Sequence, residues 1–239
     1  MSSIAIVIPS YDEFDNLQYL LPKIKNSIKE NFSSHDVEVV IVDGLKKDQK
    51  TKFLCENFGF NYLNRDPSNQ FGDAIRSGIN FVRNSNQSNE WLIIMDSDGS
   101  HDPSLFREFN SFINNNEPDI VIASRYVQGG STENNIVLIT LSMIVNLIYK
   151  FSFNLRVNDI SNNFRLYRFS YLKDIELLEQ NFDIVEEILI KILKKFPDLN
   201  IIEIPSTFLK RKHGKSKRNL ILFSFTYLRS IKRLRKFSK

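Results

Sequence analysis

Apolar runs punctuate the first half of the chain at Ile4–Ile8, Val37–Val42, Trp91–Met95 and Asp119–Ala123. A strand covered on both faces reads as a continuous apolar run, so each is expected to be a buried strand. Leu17, Leu20, Leu21, Ile24 and Ile28 recur at helical spacing after the first run, and Phe71, Ala74, Ile75, Gly78 and Phe81 do so before the third. Strands alternating with helices imply an α/β fold built on a mostly parallel, doubly wound sheet with right-handed crossovers. In such a sheet the strand C-terminal ends share the edge where ligands bind. That edge should gather Pro9-Ser10-Tyr11, Asp43, Asp96 with Asp98, and Ser124-Arg125.

Beyond Gly129-Gly130 the pattern changes. Ile136–Tyr149 is apolar nearly all round, broken only by Thr140, Ser142 and Asn146. It is shorter than the roughly 20 residues that a spanning helix needs, which leaves a helix packed in a core or one lying at a membrane interface. Near Leu220–Phe237 a last helix sets Leu220, Phe223, Tyr227, Ile231 and Leu234 on one stripe, with Arg229, Lys232, Arg233, Arg235 and Lys236 mostly elsewhere. Basic and amphipathic together describe a surface-seeking helix, the alternative being a stripe that packs onto the domain. The expected organisation is one domain over residues 1–217 and a basic amphipathic helix over 218–239.

Charge sharpens this division. Of 32 Lys and Arg, 12 lie between Lys210 and Lys239, a stretch without Asp or Glu, so the preceding 209 residues are net acidic, 20 against 28. A basic tail of this kind suits nucleic acid, an anionic membrane or a diphosphate. Phe223, Phe225 and Tyr227 near Arg229 and Lys232 would permit base stacking. Their helical stripe, and the acidic strand ends that nucleic acid would leave without a role, favour the membrane; no nucleic-acid partner is expected. Cys55 is the single cysteine, which excludes an intramolecular disulfide, and no Cys/His cluster has zinc spacing. No basic segment precedes the first apolar run, so no secretory signal is visible and a cytoplasmic location is expected.

The chemistry concentrates where the third run stops, at Asp96-Ser97-Asp98-Gly99. Carboxylates on alternate residues after a buried strand can converge on a hard divalent cation that a diphosphate also holds. Asp, Ser and Gly are also ordinary turn formers. Further signatures decide between these readings: Ile6-Val7-Ile8-Pro9-Ser10-Tyr11-Asp12-Glu13 with Asn16-Leu17, Val40-Ile41-Val42-Asp43, His101 and Pro103, Ala123-Ser124-Arg125-Tyr126, Asp159–Arg168, Glu187, Ile204-Pro205 with Phe208 and Arg211, and Gly214-Lys215-Ser216-Lys217. In this order they resemble the family 2 glycosyltransferases, in particular the dolichol-phosphate mannosyltransferase branch, from Ile4 to about Lys217.

The resemblance implies a GT-A, Rossmann-like fold that transfers an activated hexose, of mannose or glucose type, from a GDP- or UDP-sugar with inversion. It assigns Pro9, Tyr11, Glu13, Asp43, Asp96 and Lys217 to the donor nucleotide. Asp96 and Asp98, with Ser100 as a third ligand, would hold Mg2+ or Mn2+. Asp98, Arg125, Glu187 and Arg211 become candidate catalytic residues, and Arg125, Ser142, Asn146 and Arg165 candidate acceptor contacts. A polyprenyl or dolichyl phosphate is already an anion and needs no base, whereas a glycan or glycolipid hydroxyl requires one, for which Glu187 and then Asp159 are the candidates. The implied location is peripheral, on the cytoplasmic face of a membrane. Three departures stand out: Gly44 where a second carboxylate is usual, Val137, Leu138, Ile139 and Met143 where basic residues are usual, and Asn163 in place of glycine. The first two also leave open a catalytically silent scaffold, against which the retention of Asp96 and Asp98 argues.

Overall fold

The structure, a computed structural model, describes residues 1–45, 49–65, 70–85, 87–214 and 220–236, without the side chains of 220–226 and 228. Its strands are β1 (Ser3–Ser10), β2 (Asp36–Asp43), β3 (Asn61–Asn64), β4 (Trp91–Ile94), β5 (Ile120–Ser124), β6 (Ser131–Thr132), β7 (Arg165–Arg168), β8 (Ile201–Pro205) and β9 (Thr207–Phe208). Its α-helices are α1 (Phe14–Asn31), α2 (Gln49–Phe58), α3 (Phe71–Asn84), α4 (Phe106–Asn115), α5 (Ile136–Phe153), α6 (Ile184–Lys195) and α7 (Leu220–Lys236). Seven strands form one sheet in the order β3-β2-β1-β4-β7-β5-β8, and β6 pairs with β9 in a small second sheet.

All four expected strands are present and parallel. β1 pairs with β2 on one side and β4 on the other, and β5 joins the sheet through β7, which runs antiparallel to both of its neighbours. The period-two alternation of a strand divides the core into two layers. Ala5 and Val7 of β1 face the layer covered by α3, α5, α6 and α7, whereas Ile4, Ile6 and Ile8 face the layer of α1 and α4. Gly78 brings α3 close onto the sheet, since a Cβ there would lie 2.3 Å from Val7 Cγ1. A larger residue would force helix and sheet apart.

Polar contacts also join α6 and its surroundings to α7. Glu186 of α6 is fully buried and accepts a hydrogen bond from the Tyr227 hydroxyl of α7 at 3.1 Å. Burial pushes its carboxyl up to about 8, so it sits in this seam largely without charge near neutral pH. Arg233 of α7 pairs with Glu179 at 3.2 Å, and Tyr149 of α5 meets Tyr227 edge to face.

These contacts correct the expectation for the last helix. Among the described side chains of α7, the stripe residues Tyr227, Ile231 and Leu234 belong to the domain core, whereas the basic residues Arg229, Lys232, Arg235 and Lys236 face solvent. The exposed apolar helix is α5 instead. Ile136, Val137, Met143, Ile144, Leu147, Ile148 and Phe151 are exposed along it, Ile136 to 74% and Phe151 to 79%, while Asn146 and Tyr149 face inward. The blander expectation of a core-packed α5 is thereby overturned. The stripe positions Leu220 and Phe223, together with Phe225, and the boundary at 217 and 218 lie outside the described residues and side chains.

Candidate active site

A cavity of about 550 Å³ opens at the C-terminal edge of the sheet. The ends of β1, β4 and β5 each deliver one part of it, because a parallel strand must leave the sheet there and turn into its crossover. β1 ends with Pro9 and Ser10 and is followed by Tyr11, β4 continues into Asp96, Ser97 and Asp98, and Arg125 follows β5 directly. The segment 159–164, which leads into β7, adds Ser161, Asn162 and Asn163, and the segment after β9 adds Lys210 and Arg211.

The two carboxylates are each fixed by one oxygen. Asp98 Oδ1 accepts from the Ser100 backbone N–H at 3.0 Å and the Ser100 hydroxyl at 2.5 Å, while its Oδ2 meets Arg211 Nη2 at 3.1 Å. Asp96 Oδ1 accepts from the Asn163 carboxamide at 3.0 Å. Its backbone N–H donates to His101 Nδ1 at 3.0 Å, which leaves His101 Nε2 to donate to Asn162 Oδ1, also at 3.0 Å. Asn162 in turn donates to the Ala123 carbonyl on β5. Sequence-distant loops are thus pinned to one another, and Asn163, a departure from the family pattern, lies on a predicted metal ligand. Gly44 has a local use as well: its N–H donates to the Ser10 carbonyl at 3.2 Å, tying the ends of β1 and β2.

The donor set fits a hard divalent cation. Among the described residues no group of three His, Cys, Asp or Glu side chains surrounds a point, so the chain offers Asp96 and Asp98 and leaves the remaining positions to ligand and water oxygens. Ser10 lines the cavity, and its buried Oγ has no hydrogen-bond partner among the described residues.

Cations face this pair. Burial alone would lower the pKa of Arg211, but Asp98 and Glu13 outweigh it and the net shift is upward. Arg125 lies at 8% exposure and grips Asp159, itself at 0%, through Nε at 2.8 Å and Nη2 at 2.6 Å. Its Nη2 also reaches Ser142 at 3.1 Å and Ser161 at 2.9 Å. Burial opposes the charge of Arg125, and Asp159 more than restores it.

Of the residues expected at the site, Pro9, Tyr11, Glu13, Asp96, Asp98, Arg125, Ser142 and Arg211 line the cavity. Five others do not, and each has a structural reason. Arg165 is fully buried on β7, donating to the Tyr167 hydroxyl and to the Val185 and Ile160 carbonyls, so it braces the core instead of meeting a phosphate. Glu187 is equally buried, accepts from the backbone N–H groups of Leu178 and Glu179, and pairs with Lys191 at 2.7 Å, which removes it as a base. Asn146 Oδ1 accepts from the backbone of Ile160 and Ser161 and shapes the loop beneath Arg125. Ser100 is buried and positions Asp98 instead of lining the cavity. Asp43 is buried at the end of β2, where Leu45 N–H and the Tyr62 hydroxyl donate to it. Lys217 lies outside the described residues.

Comparison with known proteins decides the family. Residues 5–176 match the family described as Glycosyl transferase family 2. The chain belongs to that family. This family 2 chain is 29% identical over 245 residues to a dolichol-phosphate mannosyltransferase of Pyrococcus furiosus, covering 98% of this chain and 64% of the relative, so it spans under two thirds of that protein. It is 26% identical to an undecaprenyl-phosphate mannosyltransferase of Micrococcus luteus, covering 88% of this chain and 85% of the relative. In fold it is similar to the glucosyl-3-phosphoglycerate synthase of Mycobacterium tuberculosis, solved with Mn2+, UDP-glucose and phosphoglyceric acid, at a TM-score of 0.69, 14% identity, and coverage of 98% and 78% of the two chains. The architecture of this family 2 protein is the GT-A fold.

Several cavity residues were not singled out from sequence. Arg65, just beyond β3, and Glu133, Asn134, Leu141, Phe182 and Val185 all line it, beside Leu138, noted from sequence only as a departure from the family pattern. Arg65 carried a signal, since it follows Asn61–Asn64 onto the same sheet edge; the others arrive through loops and helix faces that no local pattern assigns.

Proposed function

We propose that this protein is a metal-dependent, inverting hexosyltransferase that moves a sugar from a nucleoside diphosphate sugar to a polyprenyl phosphate. The observation that carries this reading is that one cavity gathers Asp96 and Asp98, the Arg211 that pairs with Asp98, Arg125, and the apolar side chains Leu138, Leu141, Phe182 and Val185. Mn2+ or Mg2+ held by Asp96 and Asp98 would neutralise charge on the departing diphosphate. Arg211 offers that diphosphate a second cation. Arg125, oriented by Asp159, Ser142 and Ser161, presents a guanidinium suited to an acceptor phosphate. Glu13 and Tyr11, at the end of β1, face the donor side. GDP and UDP sugars are both candidates.

No general base is required for such an acceptor, because its phosphate is an anion near neutral pH and positioning suffices. The cavity agrees with this. Among the described residues its carboxylates are Glu13, Asp96, Asp98 and Glu133, of which Glu13 and Asp98 pair with Arg211 and Glu133 accepts from Lys210 N–H. Glu187 and Asp159, the candidates for hydroxyl activation, are tied elsewhere. Leu138, Leu141, Phe182 and Val185 line the same cavity and suit an apolar acceptor chain. The relatives named for dolichyl and undecaprenyl phosphate support the same class. A transfer assay with labelled donor tests it: label should enter the lipid phase only when polyprenyl phosphate is supplied.

The location we propose follows from α5. Its exposed apolar face begins beside the cavity, where Leu138, Leu141 and Ser142 are lining residues, and the exposed cations of α7 flank it, Arg235 donating to Ser152 of α5 at 3.2 Å. An apolar face beside basic side chains fits the surface of an anionic bilayer, on the cytoplasmic side. Replacing Ile144 and Leu147 together by Glu is therefore expected to abolish flotation with anionic liposomes while leaving nucleotide-induced thermal stabilisation intact. Retained flotation would exclude α5 as the docking face.

A further inference from the structure

Arg211 stands at a position with more consequence than phosphate binding alone. Its Nη1 lies 2.7 Å from Glu13 Oε1 and its Nη2 3.1 Å from Asp98 Oδ2, so one guanidinium bridges the loop after β1 and the loop after β4. The backbone that carries it is anchored on both sides. Leu209 N–H donates to the Ser100 carbonyl at 2.9 Å, and His213 exchanges hydrogen bonds with the Asn16 carboxamide, its N–H donating at 3.0 Å and its carbonyl accepting at 3.1 Å. His213 also stacks on Tyr19, ring centroids 5.2 Å apart. The strap is held by its backbone, while the side chain at its centre is held by charge-assisted hydrogen bonds to two carboxylates.

The oxygen that Arg211 takes is the significant one. Asp98 Oδ1 is already committed to Ser100 through two hydrogen bonds, so Oδ2 is the oxygen left to face an incoming cation. A divalent ion approaching Oδ2 meets the fixed positive charge of Arg211 at close range, in a half-buried site where such repulsion is poorly screened. A diphosphate changes the balance, because its oxygens accept from the guanidinium and draw its charge away from Asp98.

We propose that Arg211 is an electrostatic placeholder that makes metal binding conditional on the diphosphate. In donor-free protein it satisfies Asp98 and disfavours the cation. With diphosphate present it turns to the phosphate, and metal and nucleotide bind with positive coupling. Coupling of this kind is reciprocal, so each ligand tightens the other by the same factor. The cavity then holds its metal mainly when there is a leaving group to neutralise. This rests on the metal and diphosphate reading above and adds to it the order in which the site is filled.

The test is a Mn2+ titration followed by electron paramagnetic resonance of the free ion, with no nucleotide and then with saturating GDP or UDP. Wild-type protein should bind Mn2+ weakly alone, and nucleotide should tighten it by about tenfold or more. Arg211→Gln should bind Mn2+ alone about tenfold more tightly than wild type, and the enhancement by nucleotide should shrink. Arg211→Lys, which keeps the charge on the same strap, should stay near wild type and reports that the strap tolerates substitution. A simple phosphate contact would leave the affinity for Mn2+ alone unchanged in Arg211→Gln; that result, or weaker binding, overturns the proposal. Should wild type bind neither nucleotide with Mn2+, the functional reading itself fails, an outcome distinct from unaltered Mn2+ binding in a variant that still takes nucleotide.

Discussion

Asp98→Asn should lower sugar transfer by roughly a thousandfold, since cation-assisted departure of the diphosphate supplies several kcal/mol of the barrier reduction. The substitution is nearly isosteric. It keeps an oxygen to accept from Ser100, so the loop after β4 should fold as before. What it removes is the charge on the side that faces Arg211 and the cavity. The folded variant should therefore melt close to wild type, while Mn2+ no longer strengthens its nucleotide binding. Asp96→Asn should behave alike, because Asn163 fixes one oxygen there and leaves the other side of the carboxylate to the metal. Retention of more than about a tenth of wild-type transfer in either variant would remove the cation from the mechanism.

The second large effect is on stability. Asp159→Asn should cost about 3–5 kcal/mol, the usual penalty for leaving one member of a buried ion pair without its partner. Arg125 donates to Asp159 through its backbone N–H, Nε and Nη2, and its other partners among the described residues are neutral, the hydroxyls of Ser142 and Ser161 and the rings of Tyr126 and Phe208. A charged guanidinium at 8% exposure cannot recover its hydration there. For a chain of this length the loss corresponds to a fall in melting temperature on the order of 10 °C. The double replacement Arg125→Met with Asp159→Leu should recover much of that stability, since apolar substitutes for a buried pair are often neutral. It should recover no transfer, because the cation proposed to meet the acceptor is gone. A single variant that melts within about 2 °C of wild type would show that the pair contributes little to the fold.

How far sequence carried the fold depended on whether an element had its own hydrophobic period. β1, β2, β4 and β5 announce themselves because both faces are covered. β3 and β7 are four-residue strands with polar ends, and β8 includes Glu203, so none reads as an apolar run. The antiparallel placement of β7 between β4 and β5 is a long-range property that no local pattern encodes. At the site, residues that follow a strand end could be placed from sequence, as with Tyr11, Asp96, Asp98 and Arg125. Arg165 and Glu187 could not. A charged side chain suggests a charged ligand, but Arg165 spends its donors on carbonyls and Tyr167, and Glu187 on backbone N–H groups and Lys191. Whether a buried charge serves the ligand or the scaffold is settled by its partners, which lie far off in sequence.

The two helices show the same limit from the apolar side. Periodicity alone made α7 the surface-seeking element and left α5 between a core and a membrane interface, yet the described stripe residues of α7, Tyr227, Ile231 and Leu234, are buried and α5 exposes its apolar side chains. α5 is apolar nearly all round, so an inward face at Asn146 and Tyr149 still leaves apolar side chains outside. That exposure begins where the cavity ends, which links access for a lipid acceptor to the surface on which the protein would rest.

The decisive measurement is the fate of label from a GDP- or UDP-hexose incubated with the protein, Mn2+ and vesicles that contain polyprenyl phosphate. The expected product partitions with the lipid, requires both Mn2+ and the polyprenyl phosphate, and releases its sugar in mild acid, as a glycosyl phosphate must. Label that enters an acid-stable glycan or glycolipid, and does so without polyprenyl phosphate, would contradict the phosphate acceptor and return the search to a hydroxyl and its missing base.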